Sequence, residues 1–365
     1  KLSFEDAEYF ANENIKVMKY DEAETFLAIL CNMWVGVDPT KVSFNIYDLL
    51  KSRNAISDLK PSPVDMLKSV KNDVETAGFR NASLRDGVAM VRFLKWFETE
   101  HQTEHQTDTV ITEYDISLKI KDIRSCGDNF VSESFATIAA CAANGALNHY
   151  IPTASNCKPI PYDGFLLLDS GGQYLDGTTD ITRTIALGTL TDDMKRDYTL
   201  VLKGLINLSQ AVFPSGTRGS QIDAFARRAM WEHGINYLHG TGHGVGSYLN
   251  VHEGPQSIRQ EENPVGLRCG MVVTNEPGIY HTGDYGVRIE NMMLIINNMT
   301  TEYGDFLAFE TLTLCPIDTT PIISEMMTQD EISWLNDYHS TVYSQLSPYL
   351  NDDECRWLKI KTSII

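Results

Sequence analysis

The sequence lacks the marks of several protein classes. Its seven cysteines are scattered, and no two have the Cys-X-X-Cys spacing of thiolate metal sites or redox centres. No apolar run approaches the roughly 18 residues that cross a membrane. The net charge of −19, from 30 basic and 49 acidic side chains, opposes binding to nucleic acid or to anionic membranes. We therefore expect a cytoplasmic protein with reduced thiols and with neither nucleic-acid nor membrane partners.

Three further features are missing. The chain begins with neither an initiator Met nor a signal peptide, which indicates that it is part of a longer polypeptide. The glycines of residues 240–246 match neither the P-loop nor the dinucleotide spacing, and no Lys follows them. Ser170 and Ser247 lack the G-x-S-x-G elbow of serine hydrolases. A phosphate-binding loop and a serine nucleophile are therefore disfavoured.

What the sequence does contain is two pairs of acids in strand-like segments. Turn residues rich in Gly and Asp separate Asp169 from Asp180, and a similar segment separates Glu276 from Glu290. A strand-turn-strand arrangement would bring the two acids of each pair together. Four converging carboxylates repel one another unless cations lie among them, and two divalent ions would cancel their charge. The imidazole of His243 adds one nitrogen ligand, and this set suits Mn²⁺ or Co²⁺ at least as well as Zn²⁺.

The segments around these residues resemble a known family. Asp169, Asp180, His243, Glu276 and Glu290 occur in this order in or beside DGTTDITRT, HGTGHGVGSYLNVHEGP, NEPGIY and RIEN. This pattern is similar to the motifs of the pita-bread metallopeptidases. The residues around the five ligands most resemble those of the eukaryotic cytosolic type of Xaa-Pro aminopeptidase, or aminopeptidase P. The resemblance implies an α+β pita-bread (creatinase/aminopeptidase) fold: a curved antiparallel sheet with outer helices and an internal pseudo-repeat.

The resemblance also implies a chemistry. It predicts a dinuclear metallo-exopeptidase that hydrolyses the bond between an N-terminal residue and a following proline. By resemblance, Asp180 and Glu290 bridge two divalent ions, Asp169 chelates one of them, and His243 and Glu276 bind the other. The family likeness favours Mn²⁺, with Co²⁺ or Zn²⁺ as alternatives. A water or hydroxide between the ions is then the expected nucleophile.

Further site residues follow from the same likeness. His252 matches the family position that stabilises the developing negative charge or passes a proton, and His149 and His239 match the two other site histidines. These three are expected to be catalytic and to bind substrate, although a lone histidine is more often a structural hydrogen-bonding residue. Glu276 resembles the ligand that also passes a proton to the leaving nitrogen. Arg288 stands two residues before Glu290 and hence on the same strand face. It is expected either to act at the site, by orienting a ligand carboxylate or binding a short substrate's C-terminus, or to form an outer salt bridge, and both interpretations stay open.

Peptides with proline at the second position are the expected substrates, and the family likeness implies a homodimer. Two rival functions remain. A proline dipeptidase on the same fold shares all five ligands. A metal-free pita-bread binding module belongs to a different functional class, but it predicts eroded ligands, whereas all five are present here.

Domain organisation is predicted in two parts. Residues 1–61 resemble the end of a creatinase-like middle domain that is truncated here, and residues 62–365 form the pita-bread catalytic domain. We expect a first helix capped by Ser62 and ending at Gly78, and a second from Ala82 to about Glu98.

The remaining segments carry ordinary structural signals. His101 and His105 stand four residues apart in the polar stretch 100–107, which we interpret as a solvated loop rather than a metal site. Capped helices are predicted from Thr191 to Val212, from Gly219 to His233, and after Thr328.

Overall fold

The computed structural model describes residues 3–30, 33–53, 55–58, 62–103 and 110–365. The chain divides into two compact units, Lys1–Leu67 and Lys68–Ile365. The assignment of the first residues to a truncated middle domain stays a prediction. No helix within the described ranges is long and apolar enough to cross a membrane.

The first unit is small. Its strands β1 and β2 pair in parallel, with Val35 opposite Ile56. Among its described residues, Leu50 and Ala55 are the only buried apolar ones, which is little core for independent stability. Its elements are α1 (Phe4–Asn12), α2 (Ala23–Ala28), β1 (Val35–Val37), α3 (Phe44–Ser52) and β2 (Ile56–Asp58).

Seven helices follow in the described chain. They are α4 (Pro63–Ser69), α5 (Asp73–Thr103), α6 (Glu113–Ser125), α7 (Asp192–Ser209), α8 (Gly219–Trp231), α9 (Gln329–Leu346) and α10 (Asp352–Lys361).

The predicted boundaries of the first two of these helices are wrong. Asn72 begins a new helix, because its side chain accepts a hydrogen bond from the Glu75 amide and the Glu75 carboxylate accepts one from the Asn72 amide. Gly78 does not end a helix but lies inside α5, where a Cβ atom would come within 2.0 Å of the Asp176 carbonyl oxygen. The glycine thus serves close packing. The two predicted helices are a short α4 and the continuous α5.

The prediction of a loop at residues 100–107 is also wrong for residues 100–103, which the structure describes. Helix α5 continues through this stretch to Thr103. His101 is half-buried, its Nε2 atom lies 3.1 Å from the Pro161 carbonyl oxygen, and its ring packs on Phe97. His105 lies outside the described residues. His101 is therefore a packing residue.

The three capped helices predicted later in the chain are confirmed. Thr191 caps α7 by accepting a hydrogen bond from the Met194 amide. Helix α8 ends before Gly234, which has a φ of 70°. Thr328 opens α9 with a complete capping box.

Fourteen strands of the described second unit pair antiparallel wherever they form a ladder. They are β3 (Phe130–Glu133), β4 (Ile138–Cys141), β5 (Gly164–Ser170), β6 (Gly172–Tyr174), β7 (Gly177–Thr178), β8 (Ile181–Leu187), β9 (Phe213–Pro214), β10 (Gly242–His243), β11 (Ser257–Ile258), β12 (Val272–Asn275), β13 (Gly278–His281), β14 (Tyr285–Arg288), β15 (Asn291–Thr301) and β16 (Gly304–Thr311).

Two hairpins of these strands have the same construction. In the first, β5 pairs with β8 and the short β6 and β7 pair between them. In the second, β12 pairs with β15 and β13 pairs with β14. The hairpins join where the Glu290 amide donates to the Thr182 carbonyl oxygen at 3.0 Å. This repetition agrees with the expected internal pseudo-repeat.

The core of this unit lies between helices and strands. One apolar cluster joins Tyr198 and Leu205 of α7 to Val287 of β14 and Val342 of α9. A second cluster joins α5 and α6 to β5. The helices therefore cover the sheet and leave the polar ends of the two hairpins facing each other.

A buried ion pair ties α5 to α6. Arg124 is fully buried and donates to Asp86 at 2.8 and 3.2 Å. We predict that Asp86→Ala lowers the free energy of unfolding by about 3–5 kcal/mol, since the guanidinium is left charged and unpaired. Urea unfolding followed by fluorescence measures this. Glu232→Ala, which breaks the exposed pair with Arg228, should cost less than about 0.5 kcal/mol. Equal losses in the two variants would contradict the prediction.

Candidate active site

The first hairpin places two carboxylates side by side. Asp169 lies near the end of β5 and pairs with Thr182 of β8, while Asp180 directly precedes β8. Both are buried, with 8% and 4% of their surface exposed. The strand-turn-strand arrangement predicted from the sequence is present.

The second hairpin repeats this placement. Glu276 directly follows β12, and Glu290 directly precedes β15. Glu290 is 1% exposed, and its Oε2 atom accepts a hydrogen bond from Thr182 Oγ1 at 2.7 Å. Because Thr182 belongs to the first hairpin, this contact links the two pairs of acids.

All nine residues predicted for the site line one cavity of about 560 Å³. A second cavity of about 600 Å³ elsewhere in the unit shares no lining residue with it. The concentration of buried charge, rather than size, therefore identifies the site. The nine residues are His149, Asp169, Asp180, His239, His243, His252, Glu276, Arg288 and Glu290.

Three carboxylates of the cavity have raised pKa values. Burial raises the pKa of Glu290 well above its ordinary value, and the charges of Asp180, Glu276 and Asp169 raise it further. Burial also raises the pKa of Glu276 to about 7, against the opposing charges of His243 and Arg288. Burial also raises the pKa of Asp169, although the positive charge of Arg288 counteracts this effect. A bound cation would relieve the repulsion among these carboxylates, so the cavity favours cation binding.

His243 lies at the centre of this field. Ligand atoms of His243, Asp180 and Glu290 all lie within 4.8 Å of one another. The Nε2 atom of His243 is 3.4 Å from Asp180 Oδ2 and 3.7 Å from Glu276 Oε1, while Nδ1 is 3.0 Å from the Gly244 carbonyl oxygen. Burial alone would lower the pKa of His243, but the neighbouring carboxylates raise it to about 9. The neighbouring carboxylates therefore favour a cation at Nε2, either a proton or, in its place, a metal ion.

The other three histidines surround this centre. The ring of His252 lies 4.1 Å from that of His243, centroid to centroid. His239 is half-buried, with Nδ1 2.7 Å from the Gly240 carbonyl oxygen and Nε2 2.9 Å from the hydroxyl of Tyr280. His149 is exposed and lies on the segment after β4.

Arg288 is bound on three sides. Its Nη2, Nη1 and Nε atoms donate to Asp169 Oδ2 at 2.6 Å, to the Tyr280 hydroxyl at 2.9 Å and to Thr182 Oγ1 at 3.2 Å. Only 3% of the residue is exposed. Among the roles left open by the sequence, these contacts favour the orienting of the Asp169 carboxylate over an outer salt bridge or the binding of a substrate's C-terminus.

Tyr280 and Thr182 also belong to the site and were not predicted from the sequence. Tyr280 connects His239 to Arg288, and Thr182 connects Arg288 to Glu290. Strand alternation contains a signal for both. Thr182 stands two residues after Asp180, and Tyr280 stands two residues after Gly278, the partner of Arg288 in the ladder, so each lies on the face that carries a site residue.

The sequence matches two family models and is similar to known aminopeptidases. Residues 77–297 match the model of metallopeptidase family M24, and residues 305–365 match that of the C-terminal region of the same peptidases. A probable Xaa-Pro aminopeptidase P of Laccaria bicolor is 46% identical over 309 residues, which are 83% of this chain and 48% of the relative. Xaa-Pro aminopeptidase 1 of Dictyostelium discoideum is 42% identical over 333 residues, 89% of this chain and 52% of the relative.

Solved structures agree with these relatives. The X-prolyl aminopeptidase of Caenorhabditis elegans, described as a cytosolic enzyme with a di-nuclear active site, has a TM-score of 0.91 at 36% identity, over 100% of this chain and 60% of that one. The prolidase of Pyrococcus furiosus has a TM-score of 0.68 at 25% identity, with 86% of each chain covered.

The chain spans about half the length of the relatives named above from Laccaria and Dictyostelium. Within that span, the M24 match contains the first hairpin and the second as far as residue 297, and it includes all four clustered acids. The likeness to the solved structures confirms the pita-bread fold expected from the sequence. The chain belongs to metallopeptidase family M24.

Proposed function

We propose that this chain is the catalytic part of a dinuclear metallo-aminopeptidase that hydrolyses the bond between an N-terminal residue and a following proline. The observation that carries the proposal is the convergence of four carboxylates, three of them buried, and one imidazole in a single cavity. Relatives named Xaa-Pro aminopeptidase support the substrate class, since they align with most of this chain.

The residues of the cavity fit a pair of divalent ions. Within the described residues, the buried Oδ1 atom of Asp169 has no hydrogen-bond partner, which is costly unless a cation lies beside it. Asp169, Asp180 and Glu290 offer oxygen ligands, and His243 offers Nε2. Asp180 and Glu290 would hold both ions, Asp169 would hold one of them, and His243 and Glu276 would hold the other. Bound there, Mn²⁺ or a similar ion would polarise the scissile carbonyl and lower the pKa of an attacking water.

The chain's own residues divide the remaining work. Glu276 lines the cavity beside His243 and is suited to pass a proton to the leaving nitrogen. His252 lies beside His243 at the cavity wall and is placed to donate to the carbonyl oxygen as negative charge develops there. Arg288 holds Asp169 in one orientation.

His239 is suited to accept, not donate, at Nε2. The Tyr280 hydroxyl accepts from Arg288 Nη1, so its own proton points to His239 Nε2, while Nδ1 faces a carbonyl oxygen. The imidazole is therefore neutral and protonated at Nδ1. Burial is the main reason that the pKa of His239 falls to about 4, and the charges of Arg288 and Arg227 lower it further. We infer that His239 shapes the substrate pocket without carrying charge.

Proline specificity has a physical basis in the bond itself. An Xaa-Pro bond is a tertiary amide without an N–H, so a site that fits the ring discriminates by shape and not by a hydrogen bond at that nitrogen. We further propose that the protein acts in the cytoplasm, as described for the worm relative. The homodimer stays a prediction.

The choice between aminopeptidase and dipeptidase is tested with matched peptides. We predict that the Mn²⁺-loaded chain cleaves Xaa-Pro-Yaa tripeptides at the first bond and is at least about tenfold less efficient on Xaa-Pro dipeptides and on Xaa-Ala-Yaa tripeptides. Steady-state kinetics with product analysis measures this. Cleavage of dipeptides alone would assign the chain to the proline dipeptidases, and no cleavage by a metal-loaded chain would support the binding-module interpretation.

The metal assignment is tested at Asp180. We predict that Asp180→Ala lowers kcat/KM by at least about 10²-fold and reduces the number of bound ions, because an oxygen ligand is lost from both positions. Elemental analysis of the purified protein measures the ions. Asp284→Ala removes an exposed acid from the turn of the second hairpin and should leave kcat/KM and the number of bound ions unchanged. Full ion content in Asp180→Ala would reject the assignment.

The state of His239 is tested by pH. Since the folded pKa of about 4 lies below the ordinary value, His239 should stay neutral and protonated at Nδ1 from pH 5 to 8. The unfolded chain takes up a proton as pH falls through about 6.5, so this histidine reduces stability as pH falls from there toward 4. Long-range ¹H–¹⁵N spectra of labelled histidines report the tautomer, with His239→Gln for assignment. Titration of His239 near pH 6.5 would contradict the prediction.

A further inference from the structure

A buried glutamate outside the cavity closes the segment that carries His149. This segment, residues 142–157, leaves β4 after Cys141 and returns to the beginning of α6 at Lys158. Its two ends meet at Glu113, the first residue of α6. Glu113 has no exposed surface and does not line the cavity.

The Glu113 carboxylate accepts hydrogen bonds from both ends of the segment and from its interior. The Cys141 amide donates to Oε1 at 2.9 Å, and the Lys158 amide donates to Oε2 at 2.8 Å. From the interior, Asn144 Nδ2 lies 3.0 Å from each oxygen, and the Tyr150 hydroxyl lies 2.7 Å from Oε2. The Glu113 amide also donates to the Lys158 carbonyl oxygen at 2.9 Å.

This carboxylate is held by hydrogen-bond donors rather than by a cation. No salt bridge to Glu113 occurs among the described residues, and the position at the beginning of α6 adds the favourable end of the helix dipole. Burial and Glu113 together raise the pKa of Tyr150, so the phenol stays a donor. Charged acceptors form stronger hydrogen bonds than neutral ones. The Glu113 carboxylate therefore holds the two ends and the interior of the segment together.

Packing fixes the same segment from the other side. A Cβ atom on Gly286 of β14 would come within 1.9 Å of the Gly145 carbonyl oxygen. The backbone of the segment thus lies directly against the strand that carries Arg288. The segment is held between Glu113 and the second hairpin.

His149 depends on this backbone. Its exposed imidazole makes no hydrogen bond to the described part of the chain, yet it lines the same cavity as His239 and His252. The place of the ring is consequently set by the backbone between Asn144 and Tyr150, the two side chains that Glu113 holds.

We propose that Glu113 is a positioning residue for the peptidase reaction: it holds residues 142–157 so that His149 faces the substrate cavity. This inference rests on the proposed aminopeptidase activity. It concerns a residue that acts through another, since Glu113 itself touches neither the cavity nor the clustered acids.

Glu113→Gln is the sharpest variant. Each carboxylate oxygen accepts from a backbone amide, which cannot be reversed, so either orientation of the glutamine places its NH₂ group against an N–H donor. Loss of one charged hydrogen bond should lower kcat/KM about 10- to 100-fold on an Xaa-Pro-Yaa tripeptide. Tyr150→Phe keeps both backbone contacts and should lower it only a few-fold, about two- to fivefold.

A double-variant cycle with His149→Ala separates positioning from general damage. If Glu113 acts through His149, Glu113→Gln/His149→Ala should lie within about threefold of the worse single variant. Asp223→Asn is the matched control, because Asp223 is equally buried and its partner Arg227 donates to the carbonyl oxygens of Tyr237 and His239. The fold-loss of kcat/KM in Asp223→Asn should multiply with the fold-loss in His149→Ala when the two changes are combined.

Hydrogen–deuterium exchange gives a reading independent of activity. Glu113→Gln should speed exchange in residues 142–157 while exchange in α7 and α9 stays at the wild-type rate, and Asp223→Asn should not affect 142–157. The proposal is overturned if His149→Ala leaves kcat/KM unchanged, if the Glu113 and His149 losses multiply, or if exchange rises throughout the unit. A metal-loaded wild-type chain that cleaves no Xaa-Pro tripeptide rejects the proposed function instead, and exchange still decides whether Glu113 holds the segment.

Discussion

Mutual repulsion among four clustered carboxylates, three of them buried, is the constraint on which the structure of this protein depends. Two antiparallel hairpins bring the acids together, and the hairpins meet at Thr182 and Glu290. The register of each hairpin decides which acids face inward, and a shift by one residue would turn them outward. The apolar clusters under α7 and α9 stabilise a register that repulsion alone would oppose. The fold thus provides the free energy that keeps a cation site preformed.

Buried charges elsewhere in the unit are satisfied differently. Asp86 has Arg124, Asp223 has Arg227, and Glu113 has four hydrogen-bond donors. In the cavity, burial and neighbouring charges raise the pKa values of Asp169, Glu276 and Glu290, and among the described residues the Oδ1 atom of Asp169 has no hydrogen-bond partner. A buried charge with complete local partners marks the scaffold, whereas a group of buried charges without them marks the site. This contrast distinguishes the two kinds of acid without reference to any relative.

Local signals predicted much of this arrangement. Alternating strands interrupted by Gly and Asp predicted both hairpins, and capping residues predicted α7, α8 and α9. Prediction was wrong where tertiary packing decided: Gly78 resembles a helix stop, but it lies inside α5 because the Asp176 carbonyl lies against it. Tyr280 and Glu113 were missed because their roles depend on partners far away in the sequence, Arg288 for the first and Cys141 and Lys158 for the second.

The HGTGH motif illustrates how one local sequence yields two chemistries. His239 and His243 are four residues apart, and each faces a carbonyl oxygen with Nδ1. Burial lowers the pKa of both, but arginines near His239 add to that effect, while carboxylates near His243 overcome it. One imidazole is therefore a neutral hydrogen-bond acceptor and the other a site of positive charge. The distinction comes from neighbours that are distant in the sequence: Arg288 and Arg227 lie near His239, whereas Asp180 of the first hairpin and Glu276 of the second lie near His243.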